Sequence, residues 1–511
     1  MNEKLIDFSD RALIKFNRRK SFTLFLLGCL IFLLLFFIRN LLEEEKFVIT
    51  KSENLEGVPI TITTNEKPSG YLVVIAHGFA GSSTFMRSIA VALARAGHFT
   101  VRFDFYGHGE SANPFYGDVM RKTGPTRRFI NQLNLVIDEY KKRYNYAKVV
   151  LVGHSMASDI IVRATQNRED IASVIAISSY TGEILKKNFP NFLVVNGEWE
   201  KGLIAKTKEL FNANGISGVQ VEKIYGKHSA NNARKLSVIS GADHVGILYA
   251  KKTQTEILNW ITPSKEGIEN KTNRIGVWAL GIFASLWFIL FFISSLLAKN
   301  KRENFPTSKL RFSILVFMIL IPVPLFLSKF QISLINFPVH NHIFNHLFII
   351  SCLSILFSPV HFWEKWIHTF NLRIIAFLLF YFIFGLGYIL NFYVSQYYIS
   401  GGRVEIFLIL MIVTIPICLI TQAFYEASKN GSIYANLFKT VIICSLIYSV
   451  YLDPPNLFLL VYAILLFISF NVVFGFLSNF LNNKIRSFVS IGIVNGIVLS
   501  LTFTSAIPLY I

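Results

Sequence analysis

Residues Val150 to Ser158 read "VLVGHSMAS". Three apolar residues lead into a turn in which Gly153, Ser155 and Ala157 alternate. A serine displayed between a strand and a helix needs small residues two places to either side, because the tight turn presses the backbone against its neighbours. Gly153 meets that demand. Ala157 adds one methyl where the pattern G-x-S-x-G has glycine, a modest load on the packing. The stretch predicts a buried strand, an elbow that lifts Ser155 out of the sheet, and a helix behind it. The plainer alternative is that Ser155 only caps that helix, and the rest of the chain decides between the two.

Between Phe47 and Ile261, strand-like apolar runs alternate with helical spacing. "YLVVIAHG" (71–78), "FTVRFDF" (99–105), "AKVVLVG" (147–153), "IASVIAIS" (171–178), "NFLVVNG" (191–197), residues 220–225 and "LSVISG" (236–241) read as strands. Residues 83–97, 128–143, the stretch after Ser155, 202–213 and 245–260 read as helices. Continuous apolar strands alternating with helices imply a mostly parallel sheet covered on both faces. Ligands of such sheets sit at the carboxyl ends of the strands. The chemically able residues all fall there: His77–Gly78–Phe79, "DFYGHGES" (104–111), Ser155, "GEWE" (197–200) and "GADH" (241–244).

A serine hydroxyl attacks poorly until a base takes its proton. His244 follows a strand and precedes the terminal helix, which suits the chain order serine, acid, histidine. The acid between them is Glu200, with Glu198 as its competitor; Asp243 is too close to His244 along the chain. Two backbone N–H groups must then hold an oxyanion. Met156, next after Ser155, supplies one and Phe79 the other. Asp104, His108 and Ser111 read as braces of their loop.

The remainder of the chain is of another kind. The 511 residues are 53% apolar and include 49 Phe, too greasy for one soluble body. "SFTLFLLGCLIFLLLFFI" (21–38) has no charge and no small-x-small cleavage site after it, so it reads as an uncleaved anchor. Further apolar runs lie near 276–297, 312–328, 343–362, 374–394, 405–424, 434–451, 456–478 and 488–510. The division expected is a basic tail 1–20, an anchor 21–38, a soluble domain 43–262, a linker 263–275 and an eight-span bundle 276–511. Of the net +19, residues 43–274 carry 30 basic and 23 acidic side chains, and the rest 20 and 8. The excess outside the soluble domain argues for membrane topology and against nucleic acid as a partner.

The loops alternate in sign. Sixteen Lys and Arg, from Lys4 to Lys20, Lys299 to Arg311, Lys365, Arg373, Lys429, Lys484 and Arg486, face two, Lys329 and Arg403, on the other side. This predicts an inside N-terminus with the soluble domain outside the cytoplasm. All four cysteines (Cys29, Cys352, Cys418, Cys444) fall in apolar runs, so the domain has no disulfide and no cysteine metal site. In the bundle, His340, His342 and His346 read as capping a span, the alternative being a metal site where His342 and His346 share a helix face. Arg403, Glu405 and Lys439 read as snorkelling to an interface.

"VVIAHGFAGSS", "RFDFYGHGES", "LVGHSMAS", "NGEWE" and "GADHVGI" together resemble the α/β-hydrolase superfamily. The branch is that of serine aminopeptidase-like and monoacylglycerol-lipase-like hydrolases, and the likeness covers about residues 70–262. It implies a catalytic Ser155, His244 and Glu200, an oxyanion hole at Phe79 and Met156, and neither cofactor nor metal. Ala157 and the glutamate at the acid position depart from the usual pattern. Such proteins carry a helical cap where this chain has "SYTGEILKKNFPN" (179–191), too short for one. The bilayer surface or the bundle must then exclude water, which favours a lipid, lipoprotein or other acylated substrate. The expectation is a membrane-bound serine hydrolase of esterase or lipase type, with a peptidase or thioesterase also within the branch. The alternatives are an acyltransferase using the same residues, a transporter with a degenerate hydrolase as sensor, and a scaffold.

Overall fold

The computed structural model describes residues 2–117, 124–262, 267–296, 308–357, 369–399, 401–426, 431–485 and 487–511. Lys299, Lys301, Arg302, Lys365, Lys429, Arg486 and part of the expected linker lie outside these residues. Two compact units emerge. One combines Asn40–Ala279 with Leu390–Gly402 and Ser505–Ile511; the other combines Met1–Arg39, Leu280–Ile389 and Arg403–Thr504. The contiguous division expected from sequence is therefore interleaved.

The first unit is built on a nine-stranded sheet: β1 (Ile49–Leu55), β2 (Val58–Thr64), β3 (Leu72–Ala76), β4 (Phe99–Phe103), β5 (Val149–His154), β6 (Ile171–Ile177), β7 (Asn191–Gly197), β8 (Ile224–Tyr225) and β9 (Arg234–Ile239). Its order is β1-β2-β4-β3-β5-β6-β7-β9-β8. From β4 to β9 every pairing is parallel; β1, β2 and β8 pair antiparallel at the edges. The β1–β2 hairpin is absent from the sequence reading. β2 has the alternating "VPITITT", but β1 is a polar edge strand, "ITKSENL", exposed over its first residues.

After β3 the chain runs to one side of the sheet, through β4, and from β5 onward to the other. The switch point therefore falls between β3 and β5, where parallel sheets hold their ligands. Gly78–Phe79 and Ser155 follow those two strands. Every residue of β3 and β5 is buried, which is why both read as unbroken apolar runs. After α1 (Asn2–Glu45) come the covering helices α2 (Arg87–Arg95), α3 (Pro125–Arg143), α4 (Met156–Thr165), α5 (Lys201–Ala213) and α6 (Lys251–Ile261). Val73, Ile75, Val150 and Val152 share one core cluster with Ile89 and Leu93 of α2 and Ile257 and Leu258 of α6. Truncating Ile75 to Ala there costs about 2–5 kcal/mol. β6 and β7 are joined without any helix, so no cap domain is present in that connection.

The second unit is helical. Among the described residues, eight helices of the chain are long and apolar enough to cross a bilayer, the first being Lys20–Glu45 and the last Phe488–Ala506. The span expected near 456–478 is the helix Leu460–Ile485, whose apolar stretch is the shorter Leu460–Gly475. Gly492 and Gly496, one helical turn apart, admit the neighbouring helix Arg403–Glu426. An added Cβ at Gly496 would fall 2.4 Å from Ile415 Cα, the close approach that small residues allow between apolar helices. Thr414 Oγ1 donates to Gly496 O across the same contact (2.8 Å). Arg403 and Lys439 do not reach outward as the sequence reading expected. Arg403 is buried and donates to Thr504 O; Lys439 is buried with its Nζ 2.9 Å from Tyr425 Oη. In each case an internal acceptor competes successfully with the interface.

Candidate active site

β5 ends at His154, and Ser155 stands at φ 51°, ψ −116° before α4 begins. That backbone region is costly for a residue with a side chain and persists only where the surroundings enforce it. Here Ser155 N donates to Ile177 O (2.9 Å) and Ser158 N donates to Ser155 O (2.8 Å). An added Cβ on Gly153 would lie 2.6 Å from Ala157 O, so glycine is required there. Ala157 is fully buried and its methyl is accommodated.

The structure brings Ser155, His244 and Glu200 together. His244 Nε2 lies 2.9 Å from Ser155 Oγ, and His244 Nδ1 lies 2.5 Å from Glu200 Oε1. A carboxylate only accepts, so Nδ1 carries the proton and Nε2 is left to take one from Ser155. Glu200 Oε2 accepts from Gly197 N (2.6 Å) and Ser178 Oγ (2.9 Å). Burial pushes the Glu200 carboxyl upward, but the hydrogen bonds from His244, Gly197 and Ser178 outweigh it and hold it below the usual value. The Glu200 side chain is 6% exposed and that of His244 is 47% exposed, so solvent reaches the base and not the acid.

Glu198 is elsewhere. Its carboxylate accepts from Ser240 Oγ (2.9 Å) and Gly241 N (2.8 Å), holding the turn that leads to His244. Asp243 accepts from Val245 N and Gly246 N and shapes the turn after it. Met156 opens α4 directly behind Ser155. The Phe79 loop lies against the elbow, since a Cβ on Gly78 would come 3.0 Å from Ser155 Cβ.

Beneath the loop is a buried polar frame. Asp104 accepts from Ser83 N (2.6 Å) and Glu110 N (2.9 Å), and Arg102 donates to Ser83 O (2.8 Å). His77 donates from Nδ1 to Gly78 O (2.7 Å) and accepts at Nε2 from Phe105 N (3.1 Å), and burial keeps it neutral. His108 donates to Tyr106 O (2.9 Å). Asp104 and His108 thus brace their loop, and Ser111 is buried in it.

Sequence reasoning passed over His154 and Ser178. The His154 Nε2 donates to His244 O (2.8 Å), because a carbonyl can only accept. Burial, and then the neighbouring His244, hold it down to about 4, so it is neutral at ordinary pH. Its place between Gly153 and Ser155 was the only signal available, and no spacing rule reads a contact 90 residues away.

Residues 67–223, under a third of the chain, match the family model described as serine aminopeptidase, S33. No curated protein matches the chain. Among solved structures, TT1662 from Thermus thermophilus is 18% identical, with 42% of this chain and 98% of that one covered and a TM-score of 0.32. A predicted CIB-like hydrolase from Thermoplasma acidophilum is 20% identical, with 42% and 95% covered and a TM-score of 0.31. Against an epoxide hydrolase from Vigna radiata the identity is 19% and the TM-score 0.22. That match covers 28% of this chain and 44% of the Vigna chain, so this chain spans less than half the length of that relative. The sheet-bearing region has the α/β-hydrolase fold and is similar over residues 67–223 to the serine aminopeptidase family, and the chain continues into a helical region with several long apolar helices.

Proposed function

We propose that this protein is a membrane-bound serine hydrolase that cleaves acyl esters through an acyl-enzyme on Ser155. The observation that carries the reading is the unbroken chain from Ser155 Oγ to His244 (2.9 Å) and from His244 to Glu200 (2.5 Å). Ser155 Oγ attacks the ester carbonyl while His244 Nε2 takes its proton. Glu200 steadies the imidazolium so formed. The carbonyl oxygen, now an oxyanion, is held by the N–H groups of Phe79 and Met156. As the tetrahedral intermediate collapses, the bond to the alcohol oxygen breaks and His244 returns the proton to it. Water repeats the sequence on the acyl-Ser155 ester and releases the acid. Solvent access to His244 favours water over an alcohol or amine as the second acceptor, and so hydrolysis over acyl transfer.

An apolar acyl group suits the rim. Trp199 is 68% exposed and Val245 45%, and they directly follow β7 and β9 at the same end of the sheet as Ser155. Large apolar side chains left open beside a site mark a surface that takes apolar ligands. The membrane side also has support. Among the described residues, 46–262 follow one apolar helix, 395–402 follow five and 507–511 follow nine, Leu460–Ile485 included. All three counts are odd, as one compact unit on one side of a bilayer requires. The charge bias of the loops supports that side lying outside the cytoplasm.

Full-length protein in detergent, given p-nitrophenyl esters from acetyl to long-chain, should release nitrophenol and carry the matching acyl mass on the Ser155 peptide at early times. Absence of both turnover and acylated peptide across the series contradicts the reading.

A further inference from the structure

The hydrolase unit takes up a short segment from far along the chain, Ser505–Ile511. It does not extend the main sheet, whose edges are β1 and β8. It runs along the loop after β4. Leu509 N donates to Gly107 O (2.8 Å), Phe115 N to Leu509 O (3.0 Å) and Ile511 N to Phe115 O (3.0 Å). Phe115 and Tyr510 form a parallel bridge. The loop is shaped to receive it: Gly107 sits at φ +74°, and an added Cβ would fall 2.5 Å from Leu509 O.

From this strand an aromatic column runs to the oxyanion residue. The Tyr510 ring lies 5.1 Å from that of Phe115, which is fully buried. Phe115 stacks on His108 at 5.5 Å and meets Phe79 edge-on at 6.2 Å, while His108 meets Phe79 at 5.1 Å. The same loops are held by the second distant segment, Leu390–Gly402. Gln396 N donates to Ser82 Oγ (3.1 Å), and the Gln396 side chain hydrogen-bonds the Glu110 carboxyl.

We propose that Leu509–Ile511 form a strap that positions the Phe79 N–H for catalysis by bracing the loop from Phe105 to Phe115. The proposal rests on the hydrolase reading above. An oxyanion donor works only when aimed at the place where charge develops, and a misplacement of about 1 Å costs about 100-fold in rate. Leu509 and Tyr510 both lie outside residues 67–223. These residues are positioning residues: they touch the loop, and through it the donor, and not the substrate.

The test compares full-length protein with a form ending at Pro508, and with Tyr510→Ala and Tyr510→Phe. Three quantities are read: kcat, KM, and hydrogen exchange at residues 79–82 and 105–115. The strap predicts kcat down about 10- to 100-fold with KM within about threefold for the shortened form, and a smaller loss for Tyr510→Ala. Tyr510→Phe, which keeps the ring, returns kcat to within about twofold. Exchange rises at both stretches in the shortened form. A folded shortened form with wild-type kcat and unchanged exchange overturns the proposal, as does a loss that falls on KM alone. If the shortened form does not fold, Tyr510→Ala decides the matter by the same criteria. If wild type turns over no ester, the hydrolase reading fails by itself; exchange then tests the strap, and unchanged exchange in the variants overturns it.

Discussion

Each unit of this molecule holds a serine against a histidine, and the two pairs differ in what surrounds them. In the hydrolase unit His244 Nε2 is 2.9 Å from Ser155 Oγ. In the bundle His346 Nε2 is 3.0 Å from Ser445 Oγ. The difference is the direction of the proton. Ser445 already donates its only hydrogen to Ile319 O (2.6 Å), so it accepts from His346 and cannot be activated by it. His346 is fully buried, and its Nδ1 meets no hydrogen-bond partner among the described residues. His244 has a carboxylate on Nδ1, a serine with its hydrogen to give, and solvent beside it. Ser445 also lies inside the helix Gly431–Leu452, whereas Ser155 is held on a strained turn that displays it. A serine–histidine contact marks a nucleophile only when a third group sets the tautomer and the hydroxyl is free to give up its proton.

The largest predicted effect breaks this comparison most openly. Ser155→Ala should lower ester turnover by about 10⁴- to 10⁶-fold, measured on purified protein with the same esters. Glu200→Gln should lower kcat by about 10²- to 10⁴-fold, because a neutral amide no longer fixes the tautomer or steadies the imidazolium. Glu198→Gln should stay within about threefold, since its carboxylate is held by Ser240 and Gly241 while Glu200 takes His244.

His154→Gln keeps a donor for His244 O and should cost about tenfold or less in kcat. It also carries a pH signature. His154 is held at about 4, below its ordinary 6.5, so the unfolded chain takes up a proton there before the native state does. Its contribution to stability is whole above the ordinary value and is lost as pH falls toward about 4. Melting temperatures of wild type should fall through that window more steeply than those of the variant. The smallest effect is expected from Ser445→Ala. Turnover should stay within about twofold, with stability lowered by about 1 kcal/mol as Ile319 O loses its donor.

Much of the hydrolase unit was legible because its signals are local. The apolar runs over 71–78 and 147–153 correspond to strands buried on both faces, and each reactive residue follows a strand. Serine, histidine and both candidate acids could be named, but spacing along the chain left Glu198 and Glu200 open. Their separation is made by side-chain direction: one carboxylate turns to Gly241, the other to His244. Long-range contacts were not legible. The bond from His154 to His244, the polar edge strand β1 and the docking of 509–511 on Gly107 have no periodic trace in sequence. Arg403 and Lys439 were misread because charge near a span end usually runs outward, whereas here a backbone carbonyl and a tyrosine hydroxyl lie within reach inside.

The central claim is that Ser155, and not another hydroxyl, is an activated nucleophile. Membranes carrying wild type, Ser155→Ala and Ser445→Ala should be treated with a fluorophosphonate probe and the modified peptide identified by mass. Probe is expected on Ser155 in wild type and in Ser445→Ala, and none in Ser155→Ala. A well-folded wild type that takes no probe, or probe retained in Ser155→Ala, would contradict the claim.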